Sequence, residues 1–290
     1  MLIPDLGANG LLLALDLALV AAFRALRNRG RSPYLALPLL SIWGAAAFFV
    51  ALFLAQAFGL RFFAVMRFLG FAGLWHLPAL LLFLAADARA ALRSLYASGA
   101  AVLLAVYVFA YHVEPTRLEL TRYELRTPQV TAPVTIVQLS DLQTDDAGAF
   151  EERVVSEIAR LAPDLVVDTG DLLHITTAAE YLEKAAGLAR LFREKAPRPK
   201  LGWFAVEGDS DIPSLRKTPY EGFPVRFLEN ECAVIPLPGG GRLALAGLLR
   251  DTSRTQSFEE LAAVRSGCGP EPALTVWAGH APDYALALQG

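Results

Sequence analysis

A chain of 290 residues that is 54% hydrophobic, with a mean hydropathy of +0.41, is too apolar for an ordinary water-soluble domain. Its net charge of −3 hides a division: up to Val113 there are eight Lys/Arg against three Asp/Glu, and beyond it 18 against 26. An apolar, basic first part thus precedes an acidic second part, and nothing in this balance indicates nucleic-acid binding.

Crossing a bilayer takes about 20 mostly apolar residues. Residues 35–58, 68–86 and 94–113 meet this without a charge. Residues 6–23 also read as a span, although Asp16 sits at their middle. A carboxylate there costs roughly 2.5–3.5 kcal/mol on insertion scales unless it is neutral or paired. A transport function would rest on Asp16 alone, because no partner charge is legible for it. His76 and His112 read as packing or interfacial groups, and Trp43 and Trp75 as lipid-facing or packing residues.

Arg24, Arg27, Arg29 and Arg31 fall between the first two spans, Arg89 and Arg93 between the last two, and Arg61 and Arg67 between the second and third. Basic loops stay in the cytoplasm, so this pattern places both termini, and the acidic half, on the extracytoplasmic side. Cys232 and Cys268 show no zinc-ligand spacing and read as two isolated, buried thiols.

The expected organisation is a transmembrane region over 1–113, a linker or edge strand over 114–131, and an α/β domain over 132–290. Residues 116–126 (TRLELTRYELR) alternate aliphatic and polar side chains as a half-exposed strand would. Beyond Ala132 the pattern predicts strands at VTIVQLS, LVVD, WFAV, CAVIPL, RLALAGLL and LTVWAG, with helices over 150–161, 178–194 and 258–265. The first two strands, joined by a helix, form a parallel pair with a right-handed crossover. The result is a layered α/β domain.

Four of these strands end in metal-seeking side chains. Asp141 and Gln143 follow the first, Asp171 the second, Asp209 the third and His280 the last. Open α/β sheets keep their sites at the C-terminal ends of strands, so these residues are expected to converge on divalent metal. Asp168 is expected to face a protein partner or water instead, and His174 is a lesser candidate for an extra imidazole.

In this series the sequence resembles the calcineurin-like metallophosphoesterases, and its multispan first part is similar to that of membrane-anchored bacterial members. The family signature runs Asp-x-His, Gly-Asp, Gly-Asn-His-Asp, a His after a strand, then Gly-His-x-His. The matching segments are SDLQ (140–143), TGDLL (169–173), EGDSD (207–211) and GHAPD (279–283). The resemblance implies a two-metal phosphoester hydrolase in which Asp141 binds one ion, Asp171 bridges both, and Asp209 and His280 are further ligands. Ser210 and Asp211 occupy the catalytic His-Asp positions.

Several residues depart from that pattern. Gln143 replaces a ligand His and Ser210 replaces the catalytic His, while the chain stops ten residues after His280, before any Gly-His-x-His. On this reading the domain is C-terminally incomplete. The remaining donors, rich in oxygen, suit Mn²⁺ or Mg²⁺ better than Zn²⁺. The expected function is metal-dependent hydrolysis of a phosphoester at the lipid bilayer, on lipid-linked or envelope substrates. The competing expectation is a degenerate, non-catalytic domain that binds metal or phosphate.

Overall fold

The computed structural model describes residues 3–58, 62–175, 177–255, 257–269 and 274–288. The chain divides into two compact units, Met1–Arg117 and Leu118–Gly290.

The first unit is helical. It contains α1 (Ile3–Asn28), α2 (Ala36–Phe58), α3 (Phe62–Phe71), a π-helical turn (Ala72–His76), α4 (Leu77–Ala86) and α5 (Ala90–Val108). Four segments among the described residues are long and apolar enough to cross a membrane: Asn9–Asn28, Ala36–Ala57, Val65–Ala86 and Ala90–Thr116. Their outer faces carry large apolar side chains such as Leu17, Phe49, Phe53 and Val102, each more than 60% exposed. Water would penalise such a surface and lipid would not. The inner faces pack Leu12, Trp43, Phe68 and Leu80 around the small residues Ala47 and Ala72, which let helix backbones approach closely. Arg67 stands within α3 rather than in a loop, and Arg61 lies outside the described residues.

Asp16 does have a partner. Its Oδ2 lies 2.6 Å from His76 Nδ1, and its Oδ1 accepts the Trp43 indole N–H at 2.9 Å. His76 Nε2 in turn lies 3.0 Å from Asn9 Oδ1. Asp16 and His76 are both buried. Neither His76 nor Trp43 is therefore merely a packing residue, and the expectation of an unpartnered Asp16 is corrected. The sequence hid this because the two residues sit on separate spans, and the π-helical turn that ends at His76 shifts the helical phase.

The second unit has four layers. β1 (Ile136–Leu139), β2 (Leu165–Asp168), β3 (Trp203–Ala205) and β4 (Arg226–Phe227) form one parallel sheet in that order. β5 (Glu231–Pro236), β6 (Arg242–Gly247) and β7 (Leu274–Ala278) form another, with β5–β6 antiparallel and β6–β7 parallel. Alternation along the strands explains the stacking. Leu165, Val167, Phe204 and Val206 meet Ala233, Ile235, Leu243 and Leu245 between the sheets. Val166, Trp203 and Ala205 point the other way, against α6 (Ala149–Leu161) and α7 (Ala178–Lys195). On the far side, Leu261 and Val264 of α9 (Phe258–Ser266) cover Ala246 and Leu248. A short helix, α8 (Arg250–Ser253), follows β6.

Two expectations need correction here. Residues 116–126 form no strand; their alternation is real, but no ladder partner takes it up, and Tyr123 and Leu125 are almost fully exposed. Cys232 on β5 and Cys268 after α9 are not isolated thiols but a disulfide, with Cα atoms 5.2 Å apart.

Candidate metal centre

The loops leaving β1 and β2 run side by side. Thr169 N–H donates to the Leu139 carbonyl, Asp141 N–H to Gly170, Gln143 N–H to Asp171 and Thr144 N–H to Leu172, at 2.8–3.1 Å. To stay in step beyond the strands, three side-chain-bearing residues adopt left-handed backbone: Asp141 (φ 54°), Gln143 (φ 43°) and Asp171 (φ 59°). Such conformations are uncommon away from glycine, and here all three fall on expected ligands.

The second Gly-Asp turn packs into the first. A Cβ on Gly170 would stand 2.3 Å from Gly208 N, and one on Gly208 would stand 2.1 Å from Asp171 Oδ1. Only hydrogen fits at either position, which is why both Gly-Asp pairs in the sequence begin with glycine. Asp211 ties the turns together, its Oδ2 accepting N–H groups from Gly208 (2.8 Å) and Asp171 (3.3 Å). Burial pushes the Asp211 carboxyl above its usual range.

These turns, with the end of β7, bring Asp141, Asp171 and His280 together; one ligand atom of each lies within 4.8 Å of the others. Asp171 is buried, its Oδ1 accepting the Ser210 N–H at 2.8 Å. Its Oδ2 lies 3.6 Å from His280 Nε2. His280 Nδ1 is 2.9 Å from the Thr169 carbonyl oxygen, which can only accept. Nδ1 thereby carries a proton, and Nε2 is the nitrogen that faces the carboxylates and that a neutral ring would offer to a metal.

Gln143 completes the group. Its Nε2 donates to Asp141 Oδ1 (3.1 Å) and Asp171 Oδ2 (3.3 Å), so the amide occupies the place between two carboxylates where a cation would be drawn. A half-turn of the amide exchanges this nitrogen for the oxygen that can coordinate. Two carboxylates, an imidazole lone pair and an amide oxygen make a donor set that fits a divalent ion.

Other expected site residues fall outside this group. Asp209 is exposed, and Arg254 Nη2 donates to its Oδ2. The Ser210 hydroxyl donates to the Leu173 carbonyl at 3.1 Å. His174 is exposed and is not among the three residues that come together. Asp168 is fully buried, accepting Tyr220 O–H at 2.5 Å and Gly170 N–H at 2.9 Å. Burial pushes its carboxyl up to about 7 against these two hydrogen bonds, with nearby Asp211 and Asp141 adding to the rise. As expected, Asp168 faces a protein partner.

Arg254 escaped the sequence reading. Its signal lies in LLRDTSR, which follows β6 directly, but a cation has none of the metal-ligand character that marks the strand tails. Beside Asp141 lies a groove of about 220 Å³ walled by Leu120, Val137, Leu139, Leu142, Phe150 and Ile158. No protein-family model matches this sequence, and no curated protein matches it.

Proposed function

We propose that this chain is a membrane-anchored, divalent-metal-dependent phosphoester hydrolase of the calcineurin-like metallophosphoesterase type. The observation that carries the reading is the meeting of Asp141, Asp171 and His280 at strand ends whose order matches the family's motifs. A divalent ion bound there supplies Lewis acidity to a phosphoryl oxygen. Asp141 and Asp171 hold the charge of that ion, His280 offers Nε2, and Asp211 braces the two turns. The oxygen-rich donors favour Mn²⁺ or Mg²⁺ over Zn²⁺. The disulfide agrees with an oxidising compartment and, with the basic loops, supports an extracytoplasmic second unit. Lipid-linked or other envelope phosphoesters are the substrate class that suits a membrane-anchored enzyme facing that side.

The Ser210 hydroxyl, engaged with Leu173, does not replace an acid imidazole. Substrates whose leaving oxygen needs no proton from the protein are therefore favoured. The same observation supports a second reading, a domain that binds metal and phosphate without turnover. Full-length protein in detergent with Mn²⁺, assayed on aryl phosphomonoesters and phosphodiesters, separates the two. Turnover abolished by Asp171→Asn supports the hydrolase; metal and phosphate binding without turnover supports the binding domain.

A further inference from the structure

The segment that follows β6 brings a cation to the site. Arg254 Nη2 donates to Asp209 Oδ2, and Asp209 immediately precedes Ser210, whose N–H holds Asp171 Oδ1. On the other side, Ser253 is buried and its Oγ accepts the N–H of Ala281, the residue after His280, at 3.2 Å. Arg254 is thus tethered to both the Asp171 and the His280 sides of the cluster. Its side chain is 50% exposed. A guanidinium carries more N–H donors than this one pairing uses, so it can serve a further acceptor.

A formal charge balance shows what the pairing does. Asp141 and Asp171 together offset one divalent ion. Asp209, the carboxylate that would draw a second, is already matched by Arg254. Among the described residues, no second group of His, Cys, Asp and Glu comes together to hold another ion.

We propose that Arg254 stands in for a second metal ion: the Asp141–Asp171–His280 cluster binds one divalent cation, and the guanidinium, positioned by Asp209, receives the non-bridging oxygens of a phosphoryl group. A planar guanidinium suits this role because its parallel N–H donors match two phosphate oxygens. The inference rests on the phosphoesterase reading for its reaction, but not for its binding.

The test uses full-length protein in detergent, with Mn²⁺ and inorganic phosphate as probes. Calorimetric titration, with metal analysis after dialysis, gives one Mn²⁺ per chain; two would overturn the proposal. Phosphate binding to the Mn²⁺-loaded protein weakens about tenfold or more in Arg254→Ala and in Arg254→Met, which keeps the packing of the stem, and less in Arg254→Lys. Mn²⁺ affinity does not fall in Arg254→Ala or Arg254→Met, because the guanidinium is not a ligand and its charge opposes that of the ion. Wild-type protein that binds no phosphate, or phosphate affinity unchanged in both neutral variants, also overturns it. Asp209→Asn keeps one Mn²⁺ per chain; a lower count would make Asp209 a ligand and defeat the idea. One Mn²⁺ and an Arg254-dependent phosphate site without hydrolysis would remove the proposed reaction and leave this site standing. Hydrolysis with two Mn²⁺ would do the reverse.

Discussion

The Nδ1 of His280 lies 2.9 Å from the carbonyl oxygen of Thr169, and that contact decides which imidazole nitrogen can meet a metal. His280→Ala is therefore expected to weaken Mn²⁺ binding beyond the roughly 10–100-fold typical of losing an outer hydrogen-bond partner. Calorimetric titration of Mn²⁺ checks this. Affinity within about threefold of wild type would show that His280 is a structural histidine.

Gly208→Ala puts a methyl group where Asp171 Oδ1 now stands. The expected result is loss of Mn²⁺ binding together with a destabilisation of about 1–3 kcal/mol, the range for overpacking. Urea denaturation and metal titration on one sample report the two effects. Tight Mn²⁺ binding in this variant would contradict the packing of the two Gly-Asp turns.

Asp168 gives stability a definite pH dependence. Its carboxyl titrates near 7 in the fold and near 3.9 when unfolded. Between these values the folded state binds more protons than the unfolded state. Stability therefore falls as pH rises from about 4 to about 7 and levels off above, by an amount on the order of a few kcal/mol at most. In metal-free buffer, Asp168→Asn should flatten this part of the curve of denaturation midpoint against pH. An unchanged slope in the variant would place the titration elsewhere.

Cys232 and Cys268 are separated by 36 positions in sequence. Closing a loop of that size contributes about 2–4 kcal/mol, so Cys232→Ser with Cys268→Ser should lower the melting temperature of the second unit. Reductant should lower that of the wild type and leave the double variant unmoved. Equal sensitivity of both proteins to reductant would mean that the thiols are unpaired in solution.

In the membrane unit, His76→Ala takes the imidazole from the Asp16 carboxylate and leaves the Trp43 indole N–H in place. Breaking one side of a buried pair costs about 3–5 kcal/mol. Asp16→Asn combined with His76→Gln should lose less than His76→Ala alone. Thermal denaturation in detergent, followed by circular dichroism, orders the variants; a harmless His76→Ala would mark the pair as incidental.

The sequence made the scaffold legible where one physical signal dominates. Apolar runs free of charge marked three of the crossing segments and an apolar run broken only by Asp16 the fourth, while period-two and period-3.6 patterns marked most strands and helices of the second unit. β4, only Arg226 and Phe227, is too short to show any period. Residues 116–126 carried the right alternation, but alternation says nothing about whether a partner strand exists. At the centre, acidic residues directly after apolar strands exposed Asp141 and, with its preceding glycine, Asp171, because their turns are local. Pairings that span the fold stayed hidden: Arg254 with Asp209, His76 with Asp16, and Cys232 with Cys268 depend on tertiary neighbours that no local pattern encodes.

The Asp16–His76 hydrogen bond also bears on how the chain enters its membrane. Synthesis delivers Asp16 first, while His76 arrives some 60 positions later. Until then the first segment carries a carboxylate whose insertion costs roughly 2.5–3.5 kcal/mol, with no imidazole to receive it. Stable lateral release of that segment into lipid is therefore coupled to arrival of the third. A nascent chain truncated before His76 should insert its first segment less completely than one that includes it.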